Sequence, residues 1–368
     1  MIITLIALLF ASCADRKAAV VDGERMAFEY SQLLKVTEGD GYTCVEIQNP
    51  WDSTHVLHRY VLVAKGAEMP DNLPEGDVIR TPLEKTVVYS AVHTNLMQEL
   101  GSGDAVAGVC DARYMKSDFV TAGLKDGRIA DLGESAAPII EKVIDLNPEA
   151  ILLSPYQDSG NYGRLGNTGI TLVECADYME STALGRAEWV KFYGMLFGEE
   201  GKTDTIFKSV VADYDSLKAM AADVETKPRV FADMKYGSTW YVAGVNSTAA
   251  QLYIDAGGDY VFADEKSTGG VPYDPEVVFD RVQDADIWII KYNQATDKTY
   301  DELARDYTNY AQIRAFKERR IFACNTQRID FYETTPFHPN LVLKDLIKVF
   351  HPGLLGNEPL QYFEPLKE

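Results

Sequence analysis

The sequence predicts an α/β fold: two Rossmann-like lobes, each with a parallel sheet, joined by one long interdomain helix and preceded by a small β-rich extension. Three observations predict it. From Glu84 onward apolar strand-like runs alternate with helical patterns, as they do in parallel sheets covered by helices. One uninterrupted amphipathic stretch, EEGKTDTIFKSVVADYDSLKAMAADV at residues 199–224, splits that alternation in two. A helix-to-strand pattern that begins at Glu141 returns at Glu276, so one unit is used once on each side.

The chain has 368 residues, of which 46% are hydrophobic and 25% charged, enough for two domains with separate cores. Its formal charge of −21 excludes sequence-independent attraction to nucleic acid or to an anionic bilayer surface. The segments expected are a signal over 1–12, a tether and β-rich extension over 13–81, a first lobe over 82–198, the joining helix over 199–227, and a second lobe with its tail over 228–368.

MIITLIALLFASC is apolar but too short to span a bilayer, and small residues precede Cys13, the pattern of a processed export signal. It resembles the lipobox of bacterial lipoproteins, which implies that Cys13 carries the lipid and that the mature protein is exported and anchored by lipid alone. The other cysteines, Cys44, Cys110, Cys175 and Cys324, form no C-x-x-C pair, and no metal site is expected from them.

AFEYSQLLKV, YTCVEIQNPW and HVLHRYVLVAKG read as strands over 27–66, the first two joined by a turn at Gly39-Asp40-Gly41. His55 and His58 lie three apart there with no third ligand nearby and read as polar side chains facing solvent. TVVYS, AVAGVC, GRIADL, AILLSP and ITLVECA are the strands expected in the first lobe. In the joining helix Ile206, Val210, Tyr214, Leu217, Ala221 and Val224 recur at the spacing of one face, and Lys227-Pro228 marks its limit. RVFADMKY, TWYVAG, YVFAD, IWIIKYN and RIFACNT continue the rhythm in the second lobe, and a last helix is expected from Pro339 to about Phe350.

EKVIDLNPEAILL and EVVFDRVQDADIWII share Glu, Val two on, Asp four on, an acid eight on and Ala nine on. Pro138 and Asp274-Pro275 precede them, which puts Glu141 and Glu276 in first turns, where a carboxylate is favoured by exposed N–H groups. Helix capping by itself is one reading of both.

These features together resemble the substrate-binding proteins of ABC importers for ferric siderophores, haem and cobalamin, whose lobes are joined by a single long helix. The motifs carrying the resemblance are GESAAPIIEKVIDLNPEAILL, VPYDPEVVFDRVQDADIWII and TVVYSAVHTNLMQELG, within residues 82–350. The resemblance implies that Glu141 and Glu276 dock into arginine pockets of the two permease subunits, and that the lobes close only slightly. It also implies a monomeric, non-enzymatic carrier with no cofactor, whose partners are a permease dimer with its ATPase subunits and whose cargo is a metal chelate. The expected location is the periplasm of a Gram-negative bacterium.

Ligands of parallel sheets meet the carboxyl ends of the strands. Those loops offer Ser90, Ala91, Val92 and His93, then Asp111, Arg113 and Tyr114, then Tyr156 and Tyr162 in the first lobe; Tyr236, Trp240, Tyr292, Phe331 and Tyr332 follow in the second. Aromatic faces suit a macrocycle or a catecholate. His93 and His338 are candidates for an axial or hydrogen-bonding role, and Arg113 for a ligand carboxylate or for Asp111. No strongly basic cleft is visible, which favours a neutral or aromatic-rich chelate such as a corrinoid. Three rivals stand beside this reading: a free metal-ion binder using His93 and His338 with Asp330 or Glu333, a two-lobed tetrapyrrole chelatase, and a lipoprotein that captures its ligand at the outer surface without a permease, in which Glu141 and Glu276 only cap their helices.

Overall fold

The computed structural model describes residues 21–157 and 162–368. The expected signal and Cys13 lie outside the described residues. The extension is a five-stranded sheet in chain order: β1 (Glu24–Arg25), β2 (Leu34–Gly39), β3 (Tyr42–Gln48), β4 (Val56–Ala64) and β5 (Asp77–Thr81). Asp77–Thr81 was not among the strands expected; it pairs parallel to β4 and closes the sheet.

In the first lobe β6 (Thr86–Val88), β7 (Val106–Val109), β8 (Ala130–Asp131), β11 (Ala150–Leu153) and β12 (Thr171–Glu174) form a parallel sheet of order β12-β11-β6-β7-β8. A short ribbon of β9 (Gly133–Glu134) and β10 (Ala137–Pro138) leads out of it. In the second lobe come β13 (Arg229–Ala232), β14 (Lys235–Tyr236), β15 (Thr239–Ala243), β16 (Asp259–Tyr260), β17 (Gly270–Tyr273), β18 (Ile287–Tyr292), β19 (Ile321–Asn325) and β20 (Glu364–Pro365). Its main sheet has the order β16-β13-β18-β19-β20, with only β20 antiparallel, and β14, β15 and β17 form a separate antiparallel ribbon. Counting main-sheet strands in chain order within each lobe, the first sheet runs fifth, fourth, first, second, third and the second runs second, first, third, fourth, fifth, so the repeat seen locally in the sequence does not extend to the strand order.

The helices are α1 (Ala91–Leu100), α2 (Asp118–Asp126), α3 (Ile140–Leu146), α4 (Ala183–Glu188), α5 (Val190–Phe197), α6 (Glu200–Ala222), α7 (Thr248–Asp255), α8 (Pro275–Val282), α9 (Tyr300–Asp306), α10 (Arg314–Lys317), α11 (Phe331–Thr334) and α12 (Pro339–Phe350). The joining helix is α6, whose 23 residues reach roughly 35 Å at 1.5 Å per residue. Its buried face is Thr203, Phe207, Val210, Tyr214, Leu217 and Ala221, an alternation of four and three that keeps one stripe inward. That corrects the ends of the expected face: Ile206 is replaced by Phe207, and Val224 falls beyond the helix, which stops at Ala222 well ahead of Pro228. The α5–α6 approach is close enough that a Cβ on Gly194 would stand 2.3 Å from Thr203 Oγ1. At its other end α6 packs on α12 and Tyr214 Oη donates to Asp255 Oδ2 at 2.8 Å.

The extension is fastened to the first lobe by two buried carboxylates. Glu188 accepts the backbone N–H groups of Glu29, Tyr30 and Ser31, and Glu180 those of Gln32 and Leu33 with the Ser31 hydroxyl. Tyr60 Oη donates to the Leu172 carbonyl and accepts from the Glu174 N–H, both at 2.8 Å, which occupies backbone groups of β12 at the edge of its sheet.

Candidate functional site

The carboxyl ends of β6 and β18 face each other across the space between the lobes. Ser90 caps α1, its Oγ accepting from the Val92 N–H, and the start of that helix forms one wall. An outer cleft of about 450 Å³ is lined by Ser90, Val92, Tyr114 and Lys116 from the first lobe and by Lys291, Tyr292, Asn293, Thr326, Tyr332 and Glu333 from the second. Behind it lies an inner cavity of about 250 Å³, which Val92, Lys291 and Tyr332 also line. Phe331 joins the inner wall, with its ring edge-on to Tyr332 at 5.3 Å.

Of the residues expected to meet a ligand, Tyr114, Tyr292, Phe331 and Tyr332 are brought together here. Tyr156 and Tyr162 instead line a hollow of about 710 Å³ made by the first lobe alone, where Tyr162 Oη donates to Glu174 Oε1 at 2.5 Å. Asp111 and Arg113 stay outside the cleft lining. Asp111 accepts from Ser135 Oγ at 2.5 Å, while Arg113 pairs with Glu134 at 3.1 Å and lies over the Tyr114 ring. Tyr236 is 83% exposed on the β14–β15 hairpin. His338 bridges the lobes by a hydrogen bond between its Nε2 and Glu99 Oε2 at 2.9 Å in a separate groove.

Two expectations are corrected by burial. Trp240 has no exposed surface; it is packed among Phe231, Trp288 and Tyr310. His93 is 2% exposed, because α1 begins at Ala91 and not after the loop, so the third helical residue turns to the core. Its Nε2 meets Asp177 Oδ1 at 2.9 Å and Tyr193 Oη at 3.0 Å. Among the described residues no group of three or more His, Cys, Asp or Glu side chains is placed to hold a metal ion.

The cleft's cations were missed. Lys116 pairs with Glu333 at 3.6 Å and donates to the Thr326 carbonyl. Lys291 pairs with Asp233 Oδ1 at 2.9 Å; burial works against its charge, but Asp233 and the Tyr253 and Tyr332 phenols hold it firmly protonated. Burial pushes the Tyr253 phenol up to about 12. Arg186, on α4, donates Nε to Asp177 Oδ2 at 3.0 Å. Although burial opposes ionisation of Asp177, Arg186 and His93 hold its carboxyl down to about 2. One signal was present: Lys291 interrupts the apolar strand IWIIKY, where a lysine is costly unless paired. Arg186 had none, since it reaches the cleft from a helix and not from a strand end.

Glu141 and Glu276 are the second residues of α3 and α8. Both are exposed, and neither helix has a side-chain cap. The valine two residues on is fully buried in each case, Val143 and Val278, so the two glutamates stand on equivalent ledges. Arg164 donates to Glu141 Oε1 at 2.8 Å and keeps that carboxyl below its ordinary value.

Residues 87–327 match the family described as periplasmic binding protein. An uncharacterised lipoprotein of Methanocaldococcus jannaschii is 28% identical over 296 residues, 78% of this chain and 69% of the relative. The petrobactin-binding protein of Bacillus subtilis is 29% identical over 121 residues, 32% of this chain and 36% of its own. Among solved structures, a periplasmic haem-binding protein of Pseudomonas aeruginosa superposes with a TM-score of 0.57 at 15% identity, covering 78% of this chain and 99% of that one.

Proposed function

The chain belongs to the periplasmic binding protein family, a family of solute-binding proteins rather than enzymes, and on that premise we propose that it captures a metal chelate between its lobes and delivers it to the permease of an ABC importer. The observation carrying the proposal is the cleft walled by both lobes, with tyrosines Tyr114, Tyr292 and Tyr332 and the cations Lys116 and Lys291 around one space. Aromatic faces and charge-assisted donors suit a ligand that is flat in part and anionic in part.

Those cations move the reading of the cargo from a corrinoid toward a ferric siderophore or haem, and the names of the petrobactin-binding and haem-binding proteins agree with that choice. The exposed pair Glu141 and Glu276 supports docking on a two-subunit permease through bidentate contact with arginine. The relative named a lipoprotein is archaeal, so it supports an extracytoplasmic lipoprotein, with Cys13 as its lipidated residue, and gives no support to a Gram-negative periplasm.

The test is fluorescence titration of the chain lacking residues 1–13 with two ferric siderophores, haem and cyanocobalamin, and with free zinc as control. Saturable submicromolar binding of an iron chelate is the expected result. Binding of cyanocobalamin alone would return the cargo to the corrinoids, and binding of zinc alone would overturn the chelate reading.

A further inference from the structure

The inner cavity differs in chemistry from the outer cleft it adjoins. Its lining contains two cations, Arg186 from the first lobe and Lys291 from the second, and no carboxylate. The remaining wall is apolar or hydroxylic, with Leu252, Phe331 and Val342 beside Thr248, Tyr253 and Tyr332.

Arg186 is aimed before any ligand arrives. Its Nε is committed to Asp177, and Asp177, 1% exposed, is itself fixed by His93 and Tyr193. The two terminal guanidinium nitrogens make no hydrogen bond to a described residue. Lys291 is held by Asp233, and an ammonium has three donors, so donors remain there too. Thr248, whose Oγ1 donates to the Glu180 carbonyl at 3.2 Å, ties the lobes together at the cavity's edge. Each cation has a carboxylate behind it, Asp177 for Arg186 and Asp233 for Lys291, while the cavity lining itself holds no acid, so the spare charged donors on the cavity side suit an anionic group. At about 250 Å³ the space lies below the roughly 300–1,000 Å³ of sites that enclose a whole drug-sized ligand. It fits one ring or one short acyl group.

We propose that this cavity is a second subsite, taking an apolar carboxylate gripped by Arg186 from one lobe and Lys291 from the other. The carboxylate is either an arm of a chelate seated in the outer cleft, which rests on the carrier reading above, or a separate small acid.

The chain lacking residues 1–13 is titrated with benzoate and with its neutral isostere benzamide, followed by saturation-transfer NMR. Benzoate binds and benzamide does not. Arg186→Gln weakens benzoate by roughly 10- to 100-fold, the loss of one charge-assisted hydrogen bond. Leu252→Trp, which fills the cavity and leaves both cations in place, abolishes it; circular dichroism confirms that each variant is folded. Equal binding of both probes, no binding of benzoate, or benzoate binding untouched in both variants overturns the subsite. Repeating the chelate titration with Leu252→Trp separates the sources. Loss of chelate affinity identifies an arm, and unchanged chelate affinity with benzoate lost identifies a separate acid. If no chelate binds the parent chain the carrier reading fails, and the benzoate result still decides the subsite.

Discussion

Asp177 shows how one buried carboxylate holds the back wall of the cleft. It binds His93, Tyr193 and Arg186 together, so losing its charge leaves a half-buried cation and two buried polar side chains without their anionic acceptor. Asp177→Asn is therefore expected to cost about 3 kcal/mol at neutral pH, read by urea unfolding. The sign of the pH effect follows from a carboxyl held down to about 2 against an ordinary value of about 3.9. The carboxylate's contribution is complete above about pH 4 and is lost as pH falls toward 2. The variant should accordingly show a flatter acid limb in that window; an unchanged limb would place the acid sensitivity elsewhere. His93 was legible as a residue near the cleft, and its role was not. The loop expected to run through His93 is already α1 from Ala91, which turns that side chain from the cleft to the core, and sequence patterns locate helix ends less finely than that.

Most elements of the fold were legible because their periodicity is strong. The parallel strands of both lobes and the middle of the buried stripe of α6, from Val210 to Ala221, follow from apolar spacing alone. Less legible were short elements fixed by tertiary contact: β5, the β9–β10 ribbon, and the break at Trp189 that divides the stretch GRAEWVKFYGMLF into α4 and α5. The shared pattern after Glu141 and Glu276 also diverges at its end. Ala150 pairs with Thr86 and Ile287 with Val230, so the second lobe takes two more residues to reach its strand. The extension gives an element-scale prediction. Glu188 has no exposed surface and binds three backbone N–H groups and Lys191. Glu188→Ala strands those donors and is expected to cost about 3–5 kcal/mol, with hydrogen exchange at residues 29–33 rising well before exchange in the lobe sheets. Equal protection in the variant would mean that the carboxylate is not the fastening.

At the scale of the molecule, α6 is bonded to both lobes, and further ties cross the space beside the cleft: Lys116 to Glu333, His338 to Glu99, and Tyr193 edge-on to Phe337 at 5.7 Å. A continuous helix resists folding over, and the crossing pairs limit rocking, so ligand binding should change the radius of gyration by less than about 1 Å in solution scattering, a small hinge rather than a wide closure. If the lobes move so little, a permease can read the bound state only through groups held rigidly on each lobe. Glu141 and Glu276 meet that need, since each sits in the first turn of a helix whose next inward residue is buried. Neither holds its own lobe together: the Arg164 pair of Glu141 is exposed on both sides, and solvent screens such pairs. Glu141→Ala with Glu276→Ala should thus leave the unfolding midpoint and the chelate affinity unchanged. Stimulation of the reconstituted transporter's ATPase should disappear. Full stimulation by the double variant would show that the glutamates only favour their helix ends, and the docking surface would have to be sought on other parts of the lobes.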